Sequence, residues 1–189
     1  MYGRPERVPT PEDEPLRPAN VYAATKVAAE AVLRSRGERV VILRPANQLG
    51  PRQHARLAAS EFARQIAEAE ARGDTPLRVV TGNVKTRRDF TDVRDVVRAY
   101  RLLAEHGEPG VYNVCSGRAW RIGDLLELML RGSRVPIRVE VDSARLRPIE
   151  LPRLVGDNTR LRALGWTPRI PVETMVGDVL EHWRTKTPR

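Results

Sequence analysis

The stretch VYAATKVAAE at residues 21–30 places Tyr22 four positions before Lys26. The chain carries 33 basic residues but only three lysines, Lys26, Lys85 and Lys186, so nearly all of its positive charge is arginine. With four tyrosines and three lysines among 189 residues, a chance Tyr-x-x-x-Lys arises about 0.06 times. Asn20 offers an N-cap, and Ala23, Ala24, Ala28, Ala29 and Ala31 favour a helix from Tyr22 to about Arg34 whose small side chains permit close approach to neighbours. Residues at i and i+4 share a helical face, so the phenol and the ammonium point the same way. An ammonium beside a phenol stabilises the phenolate and suits tyrosine to proton transfer near neutrality. Lysine fits that role as a compact point charge, where arginine is a wide planar fork. Taken alone, the pair is also consistent with solvated surface decoration.

Working outward, five prolines between residues 4 and 18 make the preceding segment an extended loop. After Gly37, VVIL at 40–43 is a short apolar run of the kind buried on both faces of a parallel sheet. A helix is expected from about Leu57 to Arg72, ended by Gly73, then a strand at 77–80. From Asp92, the spacing of Val93, Val96, Val97, Tyr100 and Leu103 predicts an amphipathic helix ending near His106 and Gly107. Strands follow at 111–114 and 136–141, with a helix through Ile122, Leu125, Leu126, Met129 and Leu130 between them. In the tail, Asp157 or Asn158 caps a short helix stopped by Gly165, and a last helix carries Val172, Val176, Val179, Leu180 and Trp183. Alternating strands and helices make the fold α/β.

Composition narrows the function. The formal net charge is +9, but the arginines are spread among 24 acidic residues and only 5% of residues are aromatic. That favours a polyanionic small ligand, such as a nucleoside diphosphate, over nucleic acid. No run is long and apolar enough for a membrane span, and one cysteine, Cys115, fits a reducing cytoplasm and a buried, inert thiol. His54, His106 and His182 are scattered, so no metal site is expected. Trp120, Trp166 and Trp183 read as packing residues. The 13 glycines include no G-x-G-x-x-G and no G-x-x-x-x-G-K, so no phosphate cradle is recognisable.

Five blocks together resemble the extended short-chain dehydrogenase/reductase family, in particular its NAD-dependent epimerases, dehydratases and reductases of nucleotide sugars. VYAATKVAAE is similar to the family's Tyr-x-x-x-Lys helix, and RPANQLGPRQ (44–53) to the segment that meets the sugar nucleotide. RRDFTDVRDVVRAY (87–100) is similar to the segment where an arginine meets the diphosphate, and YNVCSG (112–117) to the last core strand. RPIELPRLVGDNTRLRALGWTP (147–168) is similar to the tail of the GDP-mannose branch.

The resemblance implies roles. Tyr22 is expected as general acid/base, with Lys26 as its partner on the nicotinamide ribose of NADP or NAD. Asn47 is expected on the sugar or its phosphate, Arg88 on the diphosphate, and Arg147 and Glu150 on the nucleotide's phosphate and ribose. Read without it, Asn47 is equally a turn residue, each arginine a solvated side chain, and 87–98 a helix start capped by Thr91. The implied fold is the C-terminal part of a doubly wound Rossmann-type parallel sheet plus a small α/β substrate-binding lobe. Residues 1–53 and 79–118 are assigned to the former, 54–78 and 119–189 to the latter. The implied activity is that of a GDP-mannose 4,6-dehydratase or a GDP-4-keto-6-deoxymannose reductase acting on a GDP-sugar in the cytoplasm. A UDP- or dTDP-sugar epimerase and a non-catalytic sugar-nucleotide-binding or dimerisation module are the alternatives.

The family pattern opens with a strand and glycine-rich turn that this sequence lacks, and Met1-Tyr2-Gly3 is similar to the family's Val-Tyr-Gly that follows the strand bearing the catalytic hydroxyl. The expectation is a truncated chain, inactive alone, left either by a truncated or mis-started reading frame or by a split gene whose separately encoded N-terminal half completes it; the expected partner is that half or, in a homodimer, a second copy. Isothermal titration of this chain with NADP(H) is therefore expected to show affinity weaker than micromolar; a micromolar constant would contradict it.

Overall fold

The computed structural model describes residues 1–35, 39–73, 77–142, 144 and 151–187. The elements begin with α1 (Val21–Ser35), β1 (Val41–Pro45), β2 (Asn47–Leu49), α2 (Ala58–Arg72) and β3 (Leu77–Thr81). They continue through β4 (Arg87–Asp92), α3 (Val93–His106), β5 (Gly110–Val114), β6 (Ala119–Arg121) and α4 (Ile122–Arg131). The chain closes with β7 (Ile137–Val141), β8 (Arg153–Leu154), α5 (Thr159–Ala163) and α6 (Val172–Lys186). Among the described residues no helix is long and apolar enough to cross a membrane.

β1 and β5 pair in parallel, in register from Val41 opposite Gly110 to Pro45 opposite Val114. α3 covers one face of this ladder, burying Val96, Ala99 and Leu103 against Tyr112, Val114, Leu161 and Trp166. The expected apolar stripe is rotated: Val97 and Tyr100 are 61% and 50% exposed, and Ala99 is the residue that meets the core. A small side chain there lets the helix lie close to the sheet. α3 starts at Asp92, whose carboxylate accepts the Arg94 N–H at 2.8 Å. Thr91 therefore does not cap; it is buried in β4, and its hydroxyl has no hydrogen-bond partner among the described residues.

A second core gathers Phe62 and Ile66 of α2, Leu125 and Met129 of α4, and Val176 and Val179 of α6, together with Leu49, Val79 and Phe90 from the strands. α2 ends at Gly73, whose φ of 72° is the left-handed turn glycine adopts readily. β3 pairs with β7 in parallel, while β4 lies between β2 and β6 and also pairs with β8. Trp183 donates its indole N–H to Ser60 Oγ at 2.9 Å. The tail returns to the first ladder: Asn158 stands at the N-cap position of α5 without a side-chain cap bond, Asp157 just before it accepts the Thr159 N–H at 2.8 Å, and the Asn158 amide donates to the Cys115 carbonyl at 2.7 Å. A Cβ on Gly156 would come within 2.6 Å of Cys115 Sγ, so only glycine fits that approach.

The proline-rich leader is pinned. Thr10 N–H donates to Val155 O, and Asp157 N–H to Thr10 O, each at 2.8 Å. Beneath it Arg44 of β1 is buried and paired with buried Glu30 of α1, at 2.9 Å to Oε2 and 2.6 Å to Oε1. Arg44 also donates to Tyr2 Oη at 2.8 Å and to the Glu12 carbonyl at 2.9 Å, and the Tyr2 hydroxyl donates to Asn113 Oδ1 at 2.7 Å. Burial alone raises the Glu30 carboxyl, but Arg44 and Arg34 outweigh it and hold the group below the usual glutamate range. A depressed carboxylate contributes stability that is present above its unfolded pKa, about 4.3, and is lost as pH falls through the folded value. Glu30→Leu strands the guanidinium and is expected to cost about 3–5 kcal/mol in urea denaturation at pH 7. The gap from the parent should narrow below about pH 4.

Candidate active site

Tyr22 and Lys26 project from the first turns of α1, which Asn20 starts by accepting the Ala23 N–H at 2.8 Å. Lys26 Nζ stands 5.4 Å from the centre of the Tyr22 ring, so the two side chains share one face. Both line a cleft of about 680 Å³, whose other walls include Asn47, Asp89, Asn113 and Gly156. Every one of the five sequence blocks contributes to this wall. Of α1 only Ala23 and Glu30 are buried, and the remaining alanines are exposed.

A second cleft of about 780 Å³ opens beside the first, lined by Gln53, Phe62, Asn83, Arg88 and Phe90 among others. Tyr22, Ala46, Asn47 and Gln48 line both clefts and form their common wall. Asn47 belongs to a strand, not a turn; β2 pairs with β4 in parallel, and the Asn47 amide donates to the Asp89 carbonyl at 3.1 Å. Arg88 Nη1 donates to the carbonyls of Arg87 and Leu151, at 2.8 and 2.7 Å, which anchors the guanidinium at the cleft. Arg147 and Glu150 lie outside the described residues. Among the described residues no cluster of His, Cys, Asp and Glu has the grouping of a metal site.

A family model for GDP-mannose 4,6 dehydratase matches residues 1–179. The chain belongs to this family. It is an α/β member of the extended short-chain dehydrogenases, in the branch of GDP-mannose dehydratases and reductases. It is 37% identical to the GDP-6-deoxy-D-mannose reductase of Pseudomonas aeruginosa, a match covering 98% of this chain and 64% of that enzyme. It is 33% identical to the UDP-glucose 4-epimerase of Mycolicibacterium smegmatis, over 99% of this chain and 60% of that enzyme. The structure of RMD from P. aeruginosa complexed with NADPH superposes with a TM-score of 0.85 at 36% identity, covering 93% of this chain and 60% of that one. The chain thus spans about 60% of the length of these relatives.

Within this family member, one residue of the site escaped the sequence reading. Asp89 is buried and accepts from the N–H and Oγ–H of Ser116, at 2.8 and 2.6 Å, and from the N–H groups of Gly117 and Gly156, at 2.9 and 3.4 Å. One carboxylate thereby ties β4 to the turn after β5 and to the tail. Burial raises its pKa, and those four donors work against the rise without cancelling it. The signal available was an acid in a strand whose following residues are buried, where a solvated carboxylate has no place. Cys115 lies in the same floor, with burial as the main cause pushing its thiol well above the ordinary range, which makes it inert as a nucleophile. Asp89→Ala strands several buried donors and is expected to cost about 2–4 kcal/mol in urea denaturation.

Proposed function

We propose that this chain forms the sugar-nucleotide side of an NADP-dependent enzyme acting on a GDP-sugar, of the GDP-mannose 4,6-dehydratase or GDP-4-keto-6-deoxymannose reductase type. The observation that carries the reading is the common wall: Tyr22 and Asn47 border both the Lys26 cleft and the Arg88 cleft. A ligand with its diphosphate near Arg88 and its sugar near Asn47 would bring a sugar hydroxyl to the Tyr22 phenol. Arg88 would bind the diphosphate oxygens through charge-assisted hydrogen bonds. Tyr22 would give or take the proton on the sugar oxygen, and Lys26 would stabilise the phenolate.

The residues present fit one end of a nicotinamide dinucleotide. Lys26 can donate to ribose hydroxyls beside Tyr22, and the cofactor, when bound, supplies the hydride acceptor or donor. For its pyrophosphate the sequence offers no glycine-rich turn, and we assign no residue of this chain to it. Residues 1–53 and 79–118 serve the cofactor side in this reading, and 54–78 and 119–189 the sugar nucleotide. The high exposure of α1 supports the second reading, a binding or dimerisation module without turnover.

Isothermal titration of the chain with GDP and with UDP tests the proposal. GDP is expected to bind more tightly than UDP, and Arg88→Ala to weaken it about tenfold to a hundredfold. Equal binding would turn the reading toward an epimerase of UDP-sugars; no binding to either would end it.

A further inference from the structure

Many arginines of this chain are matched singly to an acid, as Arg64 is to Glu68 and Arg101 to Glu105. One row is not. At its start β4 lies between β6 and β8, and the pairing puts Arg87 opposite Arg121 on one side and opposite Arg153 on the other. Residues opposite one another on neighbouring strands share a face, so three guanidinium side chains stand abreast. The Ile122 N–H donates to the Thr86 carbonyl at 3.0 Å, which makes Thr86 and Ile122 a hydrogen-bonded pair. Arg87 and Arg121 therefore form the adjoining non-hydrogen-bonded pair, the closer kind, with Cα atoms about 4.5 Å apart. Strand spacing makes the whole row about 10 Å wide.

Like charges directly opposite on a sheet repel, and the acids nearby answer only part of this charge. Arg121 is ion-paired with Asp124 at 2.7 Å and with Glu127 at 3.5 Å. The Arg87 guanidinium donates no hydrogen bond among the described residues and acts on Asp124 only through space. Arg153 is exposed, and its side chain makes no hydrogen bond or ion pair among the described residues. Lys85, two positions before Arg87 and also exposed, adds a fourth cation at this end of β4. Four positive side chains thus meet two carboxylates.

This face is not that of the two clefts. Arg88, next in the strand, faces the other way and lines the second cleft, whereas Arg87, Arg121 and Arg153 line neither. We infer that the row of Arg87, Arg121 and Arg153 is a separate binding site for a small phosphate anion of the pyrophosphate class. Three planar forks in line suit adjoining phosphate groups, since each fork binds two oxygens through charge-assisted hydrogen bonds. Asp124 and Glu127 stand at the Arg121 end and repel any acidic chain running past it, which selects a compact anion over an acidic peptide. The bound anion ties β8, only two residues long, to β6 across β4. The site rests on the pairing of these strands and not on the proposed reaction.

Isothermal titration with inorganic pyrophosphate tests the site, at about 0.15 M salt so that long-range attraction is screened. Binding is expected to survive in Arg88→Ala and to weaken at least about tenfold in the double variant Arg87→Gln, Arg153→Gln. That double variant should bind GDP as the parent does. Pyrophosphate should raise the melting midpoint of the parent and leave that of the double variant unmoved. Amide shifts mapped on the parent should centre on Arg87, Arg121 and Arg153, a reading that stands even where Arg88→Ala fails to fold. No binding, binding untouched by the double variant, or shifts centred on Arg88 and the clefts would overturn the site. Tighter binding of a glutamate-rich peptide than of pyrophosphate overturns it in favour of a protein-docking surface. GDP binding is a separate titration, so failure of that reading and failure of this site are distinguishable.

Discussion

Arg44 and Glu30 form the contact on which the remaining geometry depends. α1 presents few buried side chains, so apolar packing cannot fix its angle to the sheet. A buried guanidinium bridging β1, α1, Tyr2 and the Glu12 carbonyl can. Such a pair adds little net stability relative to a well-packed apolar pair, but breaking either partner is costly, which gives it directional authority. The face that carries Tyr22 and Lys26 is aimed by a residue one turn beyond it on the same helix. Asp89 performs the matching task on the far wall, where its one carboxyl group gathers three backbone segments with no cationic partner hydrogen-bonded to it among the described residues.

The two networks divide the cleft between them. The first holds the face of Tyr22 and Lys26 against β1; the second holds the floor formed by the turn after β5 and the tail at Gly156. Asn47 is where they meet, since its amide is held by the Asp89 carbonyl while its neighbours Ala46 and Gln48 border both clefts. Membership in the GDP-mannose 4,6 dehydratase family gives this arrangement a context. The basic composition then reads as many separate pairings, such as Arg98 with Asp95 and Arg184 with Glu70, and not as one polyanion-binding face.

Much of this was legible from the sequence where local signals dominate. Helix ends at Gly73 and Gly107, the cap at Asn20 and the strands that become β1 and β5 follow from propensity and apolar runs, while the pairing of those two strands does not. What was illegible depends on partners distant in the chain. Nothing near Arg44 announces Glu30, fourteen residues earlier on another element. β2 is three residues long and polar at its start, so its strand character comes from pairing with β4 and not from its own composition. The rotation of α3, which buries Ala99 and exposes Tyr100, is set by how close the helix lies to the sheet, and periodicity alone could not choose between the two faces.

The central claim is that the phenol–ammonium pair and the Arg88 cleft act on one ligand across a shared wall. Backbone amide chemical-shift mapping during titration of the isotopically labelled chain with GDP-mannose addresses it most directly. The account predicts that Asn83 to Arg88 and Ala46 to Gln48 shift together, with Tyr22 responding at the same ligand concentration. Shifts confined to one cleft, or centred on surface arginines remote from Asn47, would contradict it.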